Sequence, residues 1–130
     1  MFFAVGIALA TLFLWGIQLL GIALRPAAAL TLVAAALVYG GVALVACDST
    51  AVVIELAGLA LFSAFAWAGL RGHPSWLVVG WLAHPAWDFA LHMMTRTCTP
   101  GVVWYAQLCL SFDLVVAAYL AHTMRGRLEK

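Results

Sequence analysis

The segment FFAVGIALATLFLWGIQLLGIAL, residues 2–24, decides the fold of this chain. It carries no charged side chain and ends at Arg25-Pro26. At a rise of about 1.5 Å per residue, a helix of this length crosses the roughly 30 Å of hydrocarbon in a bilayer. The segment lacks the basic start and the small-residue cleavage site of a secretory signal peptide. We therefore expect a transmembrane helix that stays in the protein.

The remainder of the chain has the same character. Of 130 residues, 67% are hydrophobic and 8% are charged, and the mean hydropathy is +1.11, which is outside the usual mix of soluble domains. This composition predicts an all-α, polytopic transmembrane helical bundle, a single transmembrane domain over residues 1–130 with the lipid bilayer as its partner. A net charge of +1 provides no basic patch, so nucleic-acid binding is excluded.

Polar and helix-breaking residues divide the sequence into five apolar runs. The predicted spans are 2–24, 27–47, 51–70, 76–94 and 102–122. Because almost nothing separates the first two runs, we expect them to form a tight helical hairpin. Ser75, after the turn that ends the third run, is predicted to cap the fourth helix.

The basic residues indicate the orientation of the bundle. With five spans, one side of the membrane receives the residues Arg25, Arg71, Arg125, Arg127 and Lys130, and the other side receives Arg96. The positive-inside rule then places the N-terminus outside and the C-terminus in the cytoplasm. The expected location is the bacterial inner membrane, as a multi-pass protein.

The fourth run contains the main candidate for a functional site. His84, Asp88 and His92 are spaced i, i+4 and i+8, which places their side chains along one face of a helix. Pro85 lies in the same segment and frees the Trp81 carbonyl, so a kink is expected beside His84.

Neighbouring spans carry polar residues at similar depths. Glu55 lies about one turn into the third run, and Asp113 lies near the centre of the fifth. Tyr105 and Cys109 precede Asp113 at helical spacing, so this stripe is expected to face that of the fourth span. An ionisable group at such depth costs at least about 2.5 kcal/mol and needs a partner. These residues therefore predict a polar column that opens outward.

Two kinds of chemistry fit this set of residues. In an acid–base site, the catalytic residues are His84, Asp88 and Asp113, with a carboxyl group that donates a proton and a histidine that accepts one. In a metal site, the ligands of a divalent zinc or iron ion come from the tetrad His84, Asp88, His92 and Glu55. The stripe rises about 12 Å from His84 to His92, so one metal cannot bind all three of its members. A structural polar network between helices is the alternative.

Other polar and aromatic residues have simpler interpretations. Trp81 and Trp87 are interpreted as packing residues, and Gln18 as a hydrogen-bond donor between helices. Cys47 and Cys98 flank loops on the predicted outer side, where disulfides persist. They form either a disulfide or two unpaired small residues.

The two polar stripes also carry a resemblance. The patterns W-x2-H-x2-W-D-x3-H and Y-x3-C-x2-F-D-x5-Y resemble those of a group of small bacterial integral membrane proteins. That group is described only as a domain of unknown function. Their residues here are Trp81, His84, Trp87, Asp88 and His92, then Tyr105, Cys109, Phe112, Asp113 and Tyr119. The resemblance covers the last two spans and implies no activity.

Three functions remain open at this level. The first is an enzyme that acts on a lipophilic small molecule through the polar site. The second is a proton- or cation-coupled transporter or channel, formed as a homo-oligomer because five short helices enclose little pore. The third is an accessory subunit of a membrane complex whose polar stripe contacts a partner helix.

Overall fold

A computed structural model describes residues 1–94 and 103–128 of the chain, with the side chains of residues 1–91 and 103–125. The elements are α1 (Phe2–Leu19), α2 (Leu24–Ala46), α3 (Ser49–Arg71), α4 (Ser75–Asp88) and α5 (Val103–Leu128). A π-helical segment, Phe89–Met94, directly continues α4. The described part of the chain is therefore all-helical, as predicted, and α1, α2, α3 and α5 are long and apolar enough to cross a membrane.

The first helix ends earlier than the apolar run that contains it. Gly21 adopts a φ of 66°, a left-handed conformation that glycine enters without steric penalty. The helix therefore stops at Leu19, and the predicted boundary at residue 24 is wrong. Arg25-Pro26, expected to separate the two helices, instead lies in the first turn of α2. Proline is tolerated there because the N–H groups of a first turn have no partner within the helix.

The helices pack in an order that differs from their order in the sequence. α1 packs mainly against α5, α2 against α3, and α4 between α3 and α5. α1 hardly contacts α2, so the predicted tight hairpin is wrong despite the short connection. Gly6 explains the α1–α5 preference, since a Cβ atom at this position would overlap the Ser111 hydroxyl and the Leu108 carbonyl. The missing side chain lets these two helices approach closely.

The two ends of the bundle are named for the chain termini that lie near them. The N-terminal end holds the start of α1 and α5, where Phe2 and Trp104 are in ring contact at 5.9 Å. The C-terminal end holds the α1–α2 and α3–α4 connections. Between them lies an apolar core whose most buried members include Leu32, Phe62, Leu77, Trp81, Val116 and Leu120.

Polar contacts secure the C-terminal end. Arg25 donates from Nε and Nη2 to the Gly69 carbonyl at 3.1 and 2.5 Å, and from Nη2 to the Gly72 carbonyl at 2.8 Å. These are the carbonyls left unpaired where α3 ends. Gln18 donates to the Tyr119 hydroxyl from α1 to α5, which confirms its predicted role between helices. Ser75 does not cap α4: it is the first helical residue, and its hydroxyl pairs with His73 Nδ1 at 2.8 Å.

Candidate functional site

The centre of the site is a contact between α4 and α5. His84 Nδ1 and Asp113 Oδ2 are hydrogen-bonded at 2.8 Å, and each side chain is 1% exposed. His84 lies about ten residues before the end of the π-helical segment, and Asp113 lies about ten residues after the start of α5. Both therefore lie at a depth of roughly 15 Å from the N-terminal end of the bundle. The predicted meeting of the two polar stripes is confirmed at this pair. A histidine and a carboxyl group in such contact can pass a proton between them.

Asp88 lies one helical turn from His84 on the same face. Its Oδ2 atom is 3.7 Å from His84 Nδ1, and its side chain is also 1% exposed. The α-helix ends at this residue, and the π-helical segment begins at Phe89. Pro85 lies one turn before the change, and π-helical turns occur frequently at functional sites. Asp88 therefore lies where the regular backbone pattern of the fourth helix is interrupted.

Helices α2 and α3 complete the surroundings of His84. The Phe62 ring packs edge-on against the imidazole at 4.8 Å between centroids, and the Tyr39 ring lies at 6.3 Å. Tyr39 also lies within electrostatic range of Asp88, and Glu55 lies within electrostatic range of His84. Four helices thus contribute a polar or aromatic group to one buried cluster.

The cluster is closely packed on its α3 side. Gly58 leaves room for the Trp87 indole, because a Cβ atom there would lie 2.9 Å from the ring. Trp87 also packs edge-on against Phe62 at 6.1 Å. The gap that Glu55, Tyr39, His84 and Asp88 line on this side is too narrow for a water molecule. A water molecule or ligand therefore has no room to reach His84 and Asp113 from the α3 side.

A cavity that opens on the surface of the bundle also borders Asp113. It has a volume of about 250 Å³ and is mostly apolar, and α1, α2 and α5 contribute its lining, including Leu9, Thr31, Val38, Cys109 and Asp113. Among the described residues, Asp113 Oδ1 has no hydrogen-bond partner although it is buried. One carboxyl oxygen of Asp113 is therefore bonded to His84, the other has no partner among the described residues, and Asp113 also borders an apolar cavity.

The structure brings together most of the residues that the sequence singled out. His84, Asp88, Asp113 and Glu55 lie in one cluster, with Tyr105 and Cys109 on the adjacent turns of α5. The side chain of His92 lies outside the described residues. Within the part of the chain that is described, no three His, Cys, Asp or Glu residues are arranged to hold a metal ion. The zinc or iron ligand set stays a prediction.

Tyr39 is the member of the cluster that the sequence pattern did not single out. It is 2% exposed, contacts both His84 and Tyr105, and lies in a run dominated by alanine, valine and glycine. A hydroxyl group at the depth of a membrane span is the signal that identifies it. Phe62 lies two turns from Glu55 on α3, but its ring contact with His84 requires the tertiary structure.

The cysteines differ in state. Cys47 is disulfide-bonded, and Cys109 is free and buried. Cys98, the partner that the sequence suggests for Cys47, lies outside the described residues.

Fold and site together define a helical membrane protein with a buried His/Asp/Glu cluster. The chain belongs to a family of unknown function, DUF6010, whose family model matches residues 2–127. The match covers nearly the whole chain, more than the two spans on which the resemblance rests. No curated protein and no solved structure matches the chain.

Proposed function

We propose that this protein is a small membrane enzyme that carries out proton transfer on a lipophilic substrate, with His84 and Asp113 as the acid–base pair. The proposal rests on the hydrogen bonding of the Asp113 carboxyl group and on its position beside a cavity. Its Oδ2 atom is bonded to His84, its Oδ1 atom lacks a partner within the described chain, and the residue borders a cavity of about 250 Å³. Because this oxygen is buried, a substrate group that donates a hydrogen bond would reach it when the Asp113 side chain turns toward the cavity.

The lining of the cavity favours an apolar ligand. Its walls are mainly aliphatic and aromatic, and it lies between α1 and α2, which hardly contact each other. Leu9 and Val38, one from each wall, are each 43% exposed on the outer surface of the bundle. We place the entry of the substrate here, from the side that faces the acyl chains. The outward opening suggested by the sequence stays a prediction.

Asp88 is assigned to the same site as a second carboxylate for His84. At 3.7 Å from Nδ1, it stabilises a positive charge on the imidazole when His84 holds an extra proton. Glu55 adds negative charge within range of the same ring. These residues favour a histidine that gains and loses a proton during the reaction.

The apolar core argues against the alternative of a proton- or cation-coupled transporter or channel. Between the cluster and the C-terminal end lie Leu32, Leu77 and Val116, each 0% exposed. A proton path across the bundle needs a chain of polar groups, and these residues interrupt it. Liposomes that contain the protein and a pH-sensitive dye provide the check, and proton flux abolished by Asp113→Asn would favour transport over our proposal.

Isotope labelling tests the enzyme even while its substrate is unidentified. Protein in bilayer discs is incubated with a total lipid extract in D₂O and H₂¹⁸O, and the lipids are analysed by mass spectrometry. Proton transfer at carbon introduces deuterium, and hydrolysis introduces ¹⁸O. We expect labelling with the wild type and a loss of about 10²-fold or more with Asp113→Asn, since general acid–base catalysis contributes about that factor.

Thr11→Val is the matched control. Thr11 lies on α1, away from the cluster, and its hydroxyl donates to the Ile7 carbonyl of its own helix. This variant should label lipids as the wild type does. Equal labelling by the wild type and Asp113→Asn would overturn the proposed function.

Metal analysis separates the two chemical versions of the site. In the metal version, Asp88 with either His84 or His92 would supply two ligands of zinc or iron and Glu55 a further one, and the metal would activate water. Purified wild type would then contain stoichiometric metal, and His84→Ala and Asp88→Ala would lose it. A folded, metal-free wild type that still labels lipids supports the acid–base version.

We further propose a topology for the chain in its membrane. Five crossings, with the N-terminus outside and the C-terminus in the cytoplasm, agree with the basic residues at the C-terminal end. Exposed tryptophans support an interfacial position for both ends: Trp67 and Trp76 near one, and Trp104 near the other. We assign the protein to the bacterial inner membrane. A homo-oligomer or a partner in a membrane complex also remains a hypothesis, for which co-purification is the test.

A further inference from the structure

A second cavity lies at the C-terminal end of the bundle, far from His84. Its volume is about 520 Å³, which is within the usual range for small-molecule sites. The α1–α2 connection, the α3–α4 turn and the end of α5 contribute its walls. The lining combines apolar residues, such as Leu24, Pro74 and Met124, with polar ones, such as Arg25 and His73.

Arg25 provides a fixed positive charge in this wall. Its Nε and Nη2 groups are bound to carbonyls at the end of α3, which holds the guanidinium in place. Among the described residues, its Nη1 group has no hydrogen-bond partner. A guanidinium offers five N–H donors in a rigid plane that matches phosphate oxygens. Arg25 therefore retains donors for an anion while its orientation is already set.

Tyr119 and His73 each retain a donor as well. The Tyr119 oxygen accepts a hydrogen bond from Gln18, so its own O–H hydrogen remains to be donated. His73 Nδ1 accepts from the Ser75 backbone N–H at 3.3 Å, which places the proton of the neutral ring on Nε2. Both residues line the cavity. Three hydrogen-bond donors thus surround one space.

Among the described residues, the charges at this end of the bundle are all positive. Arg25, Arg71 and Arg125 lie at this end, whereas the acidic residues within the described part of the chain are Asp48, Glu55, Asp88 and Asp113, all nearer the other end or in the centre. Thr123, also in the lining, donates its hydroxyl to the Leu120 carbonyl. An anion meets donors and positive charge here, and its apolar part meets aliphatic walls.

We propose that this cavity binds the phosphate group of an anionic phospholipid, with Arg25, His73 and Tyr119 as hydrogen-bond donors and the aliphatic wall against the acyl chains. The apolar lining and the position at the end of a membrane bundle favour a lipid over free phosphate. Basic residues at such an end attract the anionic lipids of the adjacent leaflet. The site does not depend on the proposed enzyme activity.

Lipid titration tests the proposal on the full chain. Purified protein in a neutral detergent is titrated with short-chain phosphatidylglycerol or phosphatidylcholine, and binding is measured by native mass spectrometry. We expect phosphatidylglycerol to bind about tenfold more tightly, because phosphatidylcholine presents the same phosphate but adds a choline cation that the Arg25 guanidinium repels. Arg25→Gln should remove this preference. Arg71→Gln, which deletes an equal charge outside the cavity lining, should retain most of it.

Tyr119→Phe provides a second variant, because Arg25 also holds the end of α3 and its loss can unfold the chain. This change removes one donor and keeps the ring, so affinity for phosphatidylglycerol should fall several-fold. Inorganic phosphate is the third probe. Displacement of the lipid by millimolar phosphate would reassign the site to a free anion. Equal binding of the two lipids, or equal losses in Arg25→Gln and Arg71→Gln, would overturn the proposal.

Discussion

At the scale of single residues, the hydrogen bond between His84 and Asp113 leads to a spectroscopic prediction. With Asp113 ionised, its Oδ2 atom accepts from His84 Nδ1–H, which leaves Nε2 of the neutral ring as the acceptor. Asp113→Asn replaces that oxygen by an amide with little change in shape. We expect a clear shift of the His84 ¹⁵N signals in a histidine-labelled sample, assigned by their loss in His84→Gln.

The matched control is a carboxylate-to-amide change elsewhere in the chain. Asp48 caps α3 by accepting from the Ala51 backbone N–H at 2.9 Å, at the start of that helix and not beside His84. Asp48→Asn should leave the His84 signals in place, and the His73 and His122 signals should stay constant in both variants. Unchanged His84 signals in Asp113→Asn would contradict the observed pairing.

The sequence predicts this pair because the cost of burying an ionisable group requires a partner at the same depth. His84 and Asp113 are the groups near mid-membrane on two helices of suitable spacing, and depth follows directly from counting residues. Tyr39 could not be assigned in the same way, because which face of α2 turns toward His84 depends on side-chain packing between helices. Phe62 shares a helix face with Glu55 by spacing, but its ring contact with His84 requires the tertiary structure.

At the scale of secondary-structure elements, Gly6 controls the contact between α1 and α5. Gly6→Ala places a methyl group against the Leu108 carbonyl, a backbone atom that cannot rotate away. We expect α1 to shift from α5 and the free energy of unfolding to fall by about 1–3 kcal/mol, the usual cost of overpacking. Thermal unfolding in detergent, followed with a thiol-reactive dye that reaches the buried Cys109 as the chain opens, measures the change.

Gly16→Ala serves as the control in the same helix. A Cβ atom at Gly16 meets nothing within 4 Å, so this variant should be neutral or more stable by about 0.5–1 kcal/mol because alanine favours the helix. Equal stability of the two variants would mean that α1 does not depend on its approach to α5.

Helix existence follows from the sequence more reliably than helix boundaries do. Uninterrupted apolar runs require helices in a bilayer, since every backbone group must be paired within its own segment. The ends depend on local backbone geometry, as at Gly21, where an apolar run continues but the helix stops. The change to π-helix after Asp88 is also absent from the hydrophobic pattern, although Pro85 indicates an irregularity nearby.

At the scale of the whole molecule, the number of crossings depends on α4. This helix has 14 residues and the π-helical segment adds 6, so together they cover about 30 Å at a helical rise. α4 is also central to the packing, with Leu77, Trp81 and His84 all at most 1% exposed. A helix so placed between α3 and α5 crosses the bundle from end to end, which favours five crossings over four.

Reporter fusions distinguish the two counts. Alkaline phosphatase is active only outside the cytoplasm, so with five crossings it should be active when fused after Asp48, and inactive when fused after Gly72 or Lys130. Green fluorescent protein, which does not fluoresce when exported unfolded, should give the opposite pattern. Four crossings would make the fusion after Lys130 active while the first two stay the same. That outcome would place both termini on one side, and α4 would then enter and leave the membrane by the same face.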